Sequence, residues 1–287
     1  MTMTMTGRRV LLTGANAGIG KATAEALAKQ GAALILACRD TAKGEAAANE
    51  ITRSTGNERI EVLPLDLASF ASIRAFADRV NRNYDKLDVL VNNAGIMMDE
   101  WTPTADGLET IMGVNHFGTF LLTGLLLDQL KASSGRSRIV TVSSMAHRMY
   151  KLNVDKLNEQ RRYMPNRAYG LSKLANILFT YELARRLNGT DVTANCLHPG
   201  IVRTSFAKRL TGLEKLSFAA LKPFMIPVEK GAATSIYLAS SPEVEGVTGK
   251  YFIRCQEAPS SKQSRDLALA QRLWEESEQV TGYSYKL

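Results

Sequence analysis

Short apolar runs alternate with amphipathic stretches along almost the whole chain, and this alternation limits the fold more than any other feature. Apolar segments at 10–12, 33–37, 60–65, 89–91, 138–142, 192–197 and 251–253 have the length and content of buried strands. Between them, residues 19–29, 43–52, 73–83, 108–131, 168–187 and 229–239 carry apolar residues at helical spacing. Strands with nearly continuous apolar content need cover on both faces, and intervening helices supply it. The predicted fold class is therefore α/β: a single doubly wound parallel sheet flanked by helices on both faces. No Pro/Gly/Ser-rich linker, repeat or low-complexity segment divides the chain, so residues 1–287 read as one domain.

Charge and composition remove several function classes. The net charge is +8, yet the basic pairs Arg8-Arg9, Arg161-Arg162, Arg185-Arg186 and Lys208-Arg209 are scattered, without the interleaved aromatics of a nucleic-acid groove. No nucleic-acid partner is expected. Cys38, Cys196 and Cys255 are odd in number and far apart, and His116, His147 and His198 lack ligand spacing. This pattern predicts neither a disulfide framework nor a metal site, and suits a reducing compartment. Residues 1–7 alternate Met and Thr without the pattern of a signal peptide, and the apolar stretch 117–127 is about half the ~20 residues of a membrane span. A cytoplasmic location is expected.

Gly14, Gly18 and Gly20 follow the first predicted strand and open the first predicted helix. Glycines there permit a tight turn and close approach of backbone to a pyrophosphate, whose charge the free N–H groups of a helix start favour. This context predicts a dinucleotide site in a Rossmann-like sheet. At the end of the second strand, where an acidic residue would bond a ribose 2′-hydroxyl, stands Cys38, followed by Arg39. A guanidinium can pair with a 2′-phosphate, so NADP(H) is the expected cofactor. The other reading makes Arg39 a solvated charge and has Asp40 take the ribose or cap the next helix.

Tyr169 and Lys173 lie four apart on one predicted helix and so share a face. A phenol is a poor base near neutral pH, and a nearby ammonium favours its phenolate. Ser143 and Ser144 end the strand before that helix, and Asn92, Asn93, Ala94 and Gly95 end the preceding one. Both sit where parallel sheets place ligands, beyond the carboxyl ends of strands.

Taken together, TGxxxGIG at 13–20, Asp66-Leu67, the NNAG at 92–95, Asn115, Ser144, YxxxK at 169–173 and Pro199-Gly200 closely resemble the short-chain dehydrogenase/reductase superfamily. The finer resemblance is to its retinol dehydrogenase and WW-domain-containing oxidoreductase branch. It rests on residues 37–40 (Ala-Cys-Arg-Asp), 114–118, 143–147, 168–176, 182–187, 197–200, 249–252 and 273–277. The apolar N-terminal anchor of many eukaryotic members and the WW domain are both missing, so a soluble relative is implied. The resemblance implies Tyr169 as general acid/base, Lys173 as the group that lowers its pKa and holds the nicotinamide ribose, Ser144 as the binder of the substrate oxygen, and Asn115 as the holder of a water beside Lys173. Gly14, Asn16, Gly18, Ile19, Gly20, Arg39, Asp66, Leu67, Asn93, Ala94, Gly95, Pro199, Gly200, Val202 and Thr204 would line the cofactor with Tyr169 and Lys173. The implied reaction is interconversion of a carbonyl and an alcohol, without metal.

Residues 204–229 alternate Phe206, Leu210, Leu213, Leu216 and Phe218 with basic residues, and read as a substrate lid suited to a bulky lipophilic aldehyde, ketone or alcohol. A permanently packed helix, a membrane-surface contact or a subunit contact would give the same pattern. Residues 145–166 form a second wall candidate. The superfamily implies a homodimer or homotetramer paired through the helices at 108–131 and 168–187. Two other functions share some of these features: a nonenzymatic NADP(H)-binding redox sensor, which would be expected to lose the tyrosine or the lysine, and a light-driven reductase like the protochlorophyllide reductases.

Overall fold

The computed structural model describes residues 5–158, 163–202 and 225–287. Seven strands run parallel: β1 (Arg9–Thr13), β2 (Ala33–Cys38), β3 (Ile60–Pro64), β4 (Val89–Asn92), β5 (Ser137–Val142), β6 (Val192–His198) and β7 (Tyr251–Ile253). A short β8 (Gln256–Glu257) adds antiparallel to β7, and the sheet order is β3-β2-β1-β4-β5-β6-β7-β8. The chain reverses direction across the sheet between β1 and β4, which opens a crevice beyond their carboxyl ends.

Alternate strand residues feed two apolar layers. Leu11, Ile35, Leu63, Leu90 and Ile139 face one side, while Val10, Leu12, Leu34, Leu36, Val89 and Val140 face the other. Both sets are buried, so the strands read as continuous apolar runs. Helices α1 (Gly18–Lys29), α2 (Thr41–Thr55) and α3 (Phe70–Asn83) link the first four strands. Asp40 and Ser69 cap the last two by accepting from Lys43 N at 3.0 Å and Ser72 N at 3.3 Å.

The single helix predicted over 108–131 is interrupted. It consists of α4 (Thr110–Met112), a π turn (Gly113–Phe117), α5 (Gly118–Leu125) and α6 (Leu127–Lys131). Hydrogen bonds from the Asn115 side chain to the Ile96 backbone reward the inserted residue of that turn. Helical periodicity cannot report such a bulge, because the apolar stripe continues on either side. Helix α7 (Pro165–Arg186) follows β5, α8 (Val228–Ser240) precedes β7, and α9 (Leu267–Thr281) closes the chain.

Helix α9 docks by aromatic contacts. Buried Trp274 meets Phe120 of α5 at 5.1 Å and Phe179 of α7 at 5.9 Å between ring centroids, and the Tyr283 and Tyr285 hydroxyls donate to the Gly124 and Phe120 carbonyls at 2.7 and 2.6 Å. The chain's own C-terminus thus covers part of the helix pair that the sequence resemblance gives to a second subunit. Among the described residues no helix is long and apolar enough to cross a membrane, and no group of His, Cys, Asp and Glu could hold a metal ion.

Candidate active site

The loop after β1 and the loop after β4 are fastened to each other. Thr13 Oγ1 accepts from the backbone N–H groups of Asn93 and Ala94, each at 3.0 Å, and Asn93 Nδ2 donates to the carbonyls of Thr13 at 2.9 Å and Gly14 at 3.3 Å. Gly14 has φ +65° and donates its N–H to Ala37 O at 3.0 Å. A Cβ on Gly20 would stand 2.3 Å from the Gly14 carbonyl oxygen and 2.5 Å from Asn93 Nδ2, so only glycine fits there. Asn93 therefore spends its side chain on the loop, and Thr13, the first residue of the TGxxxGIG motif though not among the expected cofactor-lining residues, is the pin.

Asn16 is half-buried in the glycine loop, while Gly18 and Ile19 form the first turn of α1, whose N-cap Ala17 offers no side chain to the free N–H groups. Beside this loop, buried Cys38 accepts hydrogen bonds from the Ala15 and Asn16 backbone, and burial pushes its thiol up. Asp40 is committed to α2: it caps Lys43 N and pairs with Lys43 Nζ. Arg39 is exposed, with no hydrogen bond or ion pair among the described residues. Asp66 shapes the turn after β3, accepting from Ala68 N at 3.0 Å, while Leu67 is buried in the apolar layer.

Four residues expected at the catalytic centre meet at the ends of β4 and β5. Asn115 Oδ1 accepts from Ile96 N at 2.8 Å, and its Nδ2 donates to Ile96 O at 3.1 Å and Ser172 Oγ at 3.0 Å. Ser172 Oγ donates in turn to Tyr169 O at 2.8 Å, which joins the π turn to α7. Lys173 Nζ donates to Val142 O at 3.0 Å, lies 5.6 Å from the Tyr169 ring centroid, and sits 3.1 Å from where a Gly95 Cβ would be. The two serines diverge. Ser143 Oγ donates to Lys173 O at 2.7 Å, whereas the Ser144 hydroxyl hydrogen-bonds Tyr169 and accepts from Ala146 N at 3.2 Å.

Burial sets the proton affinities here. It pushes the Tyr169 phenol up to about 12, against a smaller opposing effect of the Ser144 hydrogen bond, and lowers Lys173 to about 8. The protein's own groups thus keep Tyr169 protonated at neutral pH.

Gly200, with φ +92°, turns the chain beyond Pro199 and β6, and Val202 forms a parallel bridge with Ile226. Thr204 and residues 204–224 of the expected lid lie outside the described residues. The wall beside Tyr169 is apolar: Met98, Tyr163 and Ala168 join it against buried Met97 and Ile111, and Met145, Met149 and Met164 are exposed. Glu109 anchors this wall, accepting from Ile111 N, Met112 N and the Tyr163 hydroxyl at 2.8, 2.7 and 2.9 Å.

Residues 8–214 match the family model of the short chain dehydrogenase. Human retinol dehydrogenase 14 is 47% identical over 97% of this chain and 87% of its own length, and mouse retinol dehydrogenase 12 is 46% identical over 98% and 88%. Among solved structures, an uncharacterized protein from Mycobacterium paratuberculosis superposes with TM-score 0.81 at 38% identity, covering 100% of this chain and 97% of that one. A short chain dehydrogenase from Escherichia coli CFT073 complexed with NADPH superposes with TM-score 0.69 at 26% identity, over 89% of this chain and 100% of that one. The glycine loop at the sheet's switch point, the Ser144–Tyr169–Lys173 cluster and these relatives converge: the chain belongs to the short chain dehydrogenase family.

Proposed function

We propose that this protein is an NADP(H)-dependent oxidoreductase that interconverts a bulky lipophilic aldehyde or ketone and its alcohol, as a retinol dehydrogenase does. The observation that carries the reading is the meeting of Ser144 and Lys173 around one tyrosine, Tyr169, which packs in an apolar cluster with Met97, Met98 and Ile111. Methionine side chains are adaptable, and they suit a long apolar substrate better than a small polar one. The relatives named retinol dehydrogenases point to the same substrate class.

The residues present fit the cofactor. Gly14 and Gly20 let the glycine loop close onto Asn93 and Ala94, and the start of α1 has no side-chain cap, which leaves its N–H groups for a pyrophosphate, with Asn16, Gly18 and Ile19 alongside. Arg39, without a hydrogen bond or ion pair among the described residues, would take the 2′-phosphate, and the glycine-loop neighbours Asn93, Ala94 and Gly95, with Asp66, Leu67, Pro199, Gly200, Val202 and Thr204, would complete the lining. NADPH, when bound, supplies the hydride.

Tyr169 carries the proton delivered to the substrate oxygen as negative charge develops on it, and Ser144 donates a hydrogen bond to that oxygen. A phenol that burial holds protonated is in the form that carbonyl reduction uses. Lys173, in its ammonium form, steadies the phenolate left behind and bonds the nicotinamide ribose. Asn115 holds the Ile96 backbone and Ser172, and thereby the relative placement of the β4 loop and α7. The free thiols Cys38, Cys196 and Cys255 agree with a reducing, cytoplasmic setting. Assembly as a homodimer or homotetramer would use what α9 leaves uncovered of α5 and α7.

The test is consumption of NADPH and of NADH in the dark with bulky aldehydes and ketones including retinal, using wild type and Tyr169→Phe. Dark NADPH turnover that the substitution removes supports this reading and rejects light dependence. Tight NADPH binding without turnover of any carbonyl would favour the sensor.

A further inference from the structure

His147 and His198 grip the two ends of one peptide group, the one that joins Ser144 to Met145. His147 Nδ1 lies 2.6 Å from the Ser144 carbonyl oxygen, and Met145 N donates to His198 Nδ1 at 3.3 Å. A carbonyl oxygen only accepts, so His147 carries its proton on Nδ1. Its other nitrogen accepts from Ser261 N at 3.1 Å and is therefore bare. His198 must be bare at Nδ1, since an amide N–H only donates. The two buried imidazoles thus stand as opposite neutral tautomers on either side of the peptide, one donating and one accepting.

Each ring is itself held. The Tyr251 ring meets His147 edge-on at 5.2 Å. Ser261 belongs to a strap that is bonded to the rest of the fold: Arg148 donates to Pro259 O, Gln263 exchanges two 3.0 Å hydrogen bonds with the Leu152 backbone, and Ser260 bonds the Tyr181 hydroxyl at 2.9 Å. His198 is the last residue of β6, fixed by the register Cys196↔Tyr251 and His198↔Ile253. Meanwhile Ser144 is in extended conformation (φ −157°, ψ 157°) at the start of a single 3₁₀ turn, Met145–Arg148, whose own backbone bond to this peptide is the one from His147 N to Ser144 O at 3.2 Å.

We propose that His147 and His198 are positioning residues that fix the plane of the Ser144–Met145 peptide and so the aim of the Ser144 hydroxyl at Tyr169 and the substrate oxygen. The proposal rests on the reading of the site given above. A hydrogen-bond donor stabilises a developing oxyanion only when it is already oriented, so a loosened Ser144 loses part of what its complete removal would lose.

Side chains that retain one nitrogen position at a time test this. In His147→Asn the amide can still donate to Ser144 O but falls short of Ser261, whereas in His147→Gln it can reach Ser261 N but misses Ser144 O. Likewise His198→Asn can accept from Met145 N, and His198→Leu cannot. The readouts are kcat and KM for an aldehyde, the NADPH dissociation constant and the melting temperature, with Tyr169→Phe alongside. The expected result is kcat within about threefold of wild type for the two Asn variants and about tenfold or more below it for His147→Gln and His198→Leu, with NADPH affinity unchanged. A kcat that follows melting temperature instead of donor position, or wild-type kcat in all four variants while Tyr169→Phe is inactive, would overturn the clamp alone. Full activity in Tyr169→Phe would overturn the reading of the site and the clamp with it.

Discussion

Lys173 Nζ donates to the carbonyl oxygen of Val142, the last residue of β5, at 3.0 Å. The ammonium is thereby attached to the strand end that also delivers Ser144, and Ser143 Oγ reinforces the link by donating to Lys173 O. Strand β5 and helix α7 are joined at the point where the two halves of the site meet.

Lys173→Met should lower kcat/KM by at least about a hundredfold and alter the pH dependence of stability. Burial lowers Lys173 from its ordinary 10.5 to about 8, so between these values the unfolded chain binds the additional proton. Stability contributed by a group in that position rises with pH. Thermal melts from pH 7 to 10.5 should show wild type gaining on Lys173→Met as the pH passes about 8, and parallel curves would contradict the shift.

Removing the phenolic hydroxyl or the serine hydroxyl should affect the chemical step more than cofactor binding. Tyr169→Phe is expected to lose about 10²–10⁴ in kcat and Ser144→Ala about 10²–10³, with NADPH dissociation constants within about threefold of wild type. Steady-state kinetics and fluorescence titration check both numbers. Ser143→Ala should behave differently, mainly lowering the melting temperature, because that hydroxyl bonds α7 and not Tyr169.

Arg39→Ala should weaken NADPH binding by about 10–100-fold and leave NADH binding nearly unchanged, since a charge-assisted pair with a phosphate contributes about 1.5–3 kcal/mol. Asp40 does not compete for this role because it caps α2 and pairs with Lys43. Equal losses for the two cofactors in a paired titration would reject the assignment.

Asp88 ties the amino-terminal end of β1 to the loop before β5, accepting from Arg9 N and Ser133 Oγ at 2.7 Å each. Its burial raises its pKa, but the hydrogen bonds and the nearby Arg8 and Lys86 outweigh this and hold the carboxyl below its ordinary range. Such a group stabilises the fold above the unfolded pKa of about 3.9 and loses that contribution as pH falls through its lower folded value. Asp88→Asn should cost on the order of 1–3 kcal/mol at pH 7, and the difference from wild type should shrink in urea melts below pH 4.

Local periodicity in the sequence determined the strands, most of the helices, the glycine turn and the Tyr169–Lys173 pair, because each is a pattern over a few residues that the backbone geometry converts directly into a shared face. It also placed Arg39 and Asp40 at the end of β2, but left open which of them faced the cofactor. Tertiary structure commits the Asp40 side chain to α2. It decided, too, that a π turn breaks the long helix to bring Asn115 onto Ile96 and that Trp274 seals α5 and α7, and it puts beside Tyr169 the Ser144 that the family resemblance had already singled out. His147 and His198 looked like isolated histidines in the sequence, and they meet at one peptide because β5 and β6 are neighbours in the sheet. Contacts of this kind depend on register between distant segments, which no local spacing encodes.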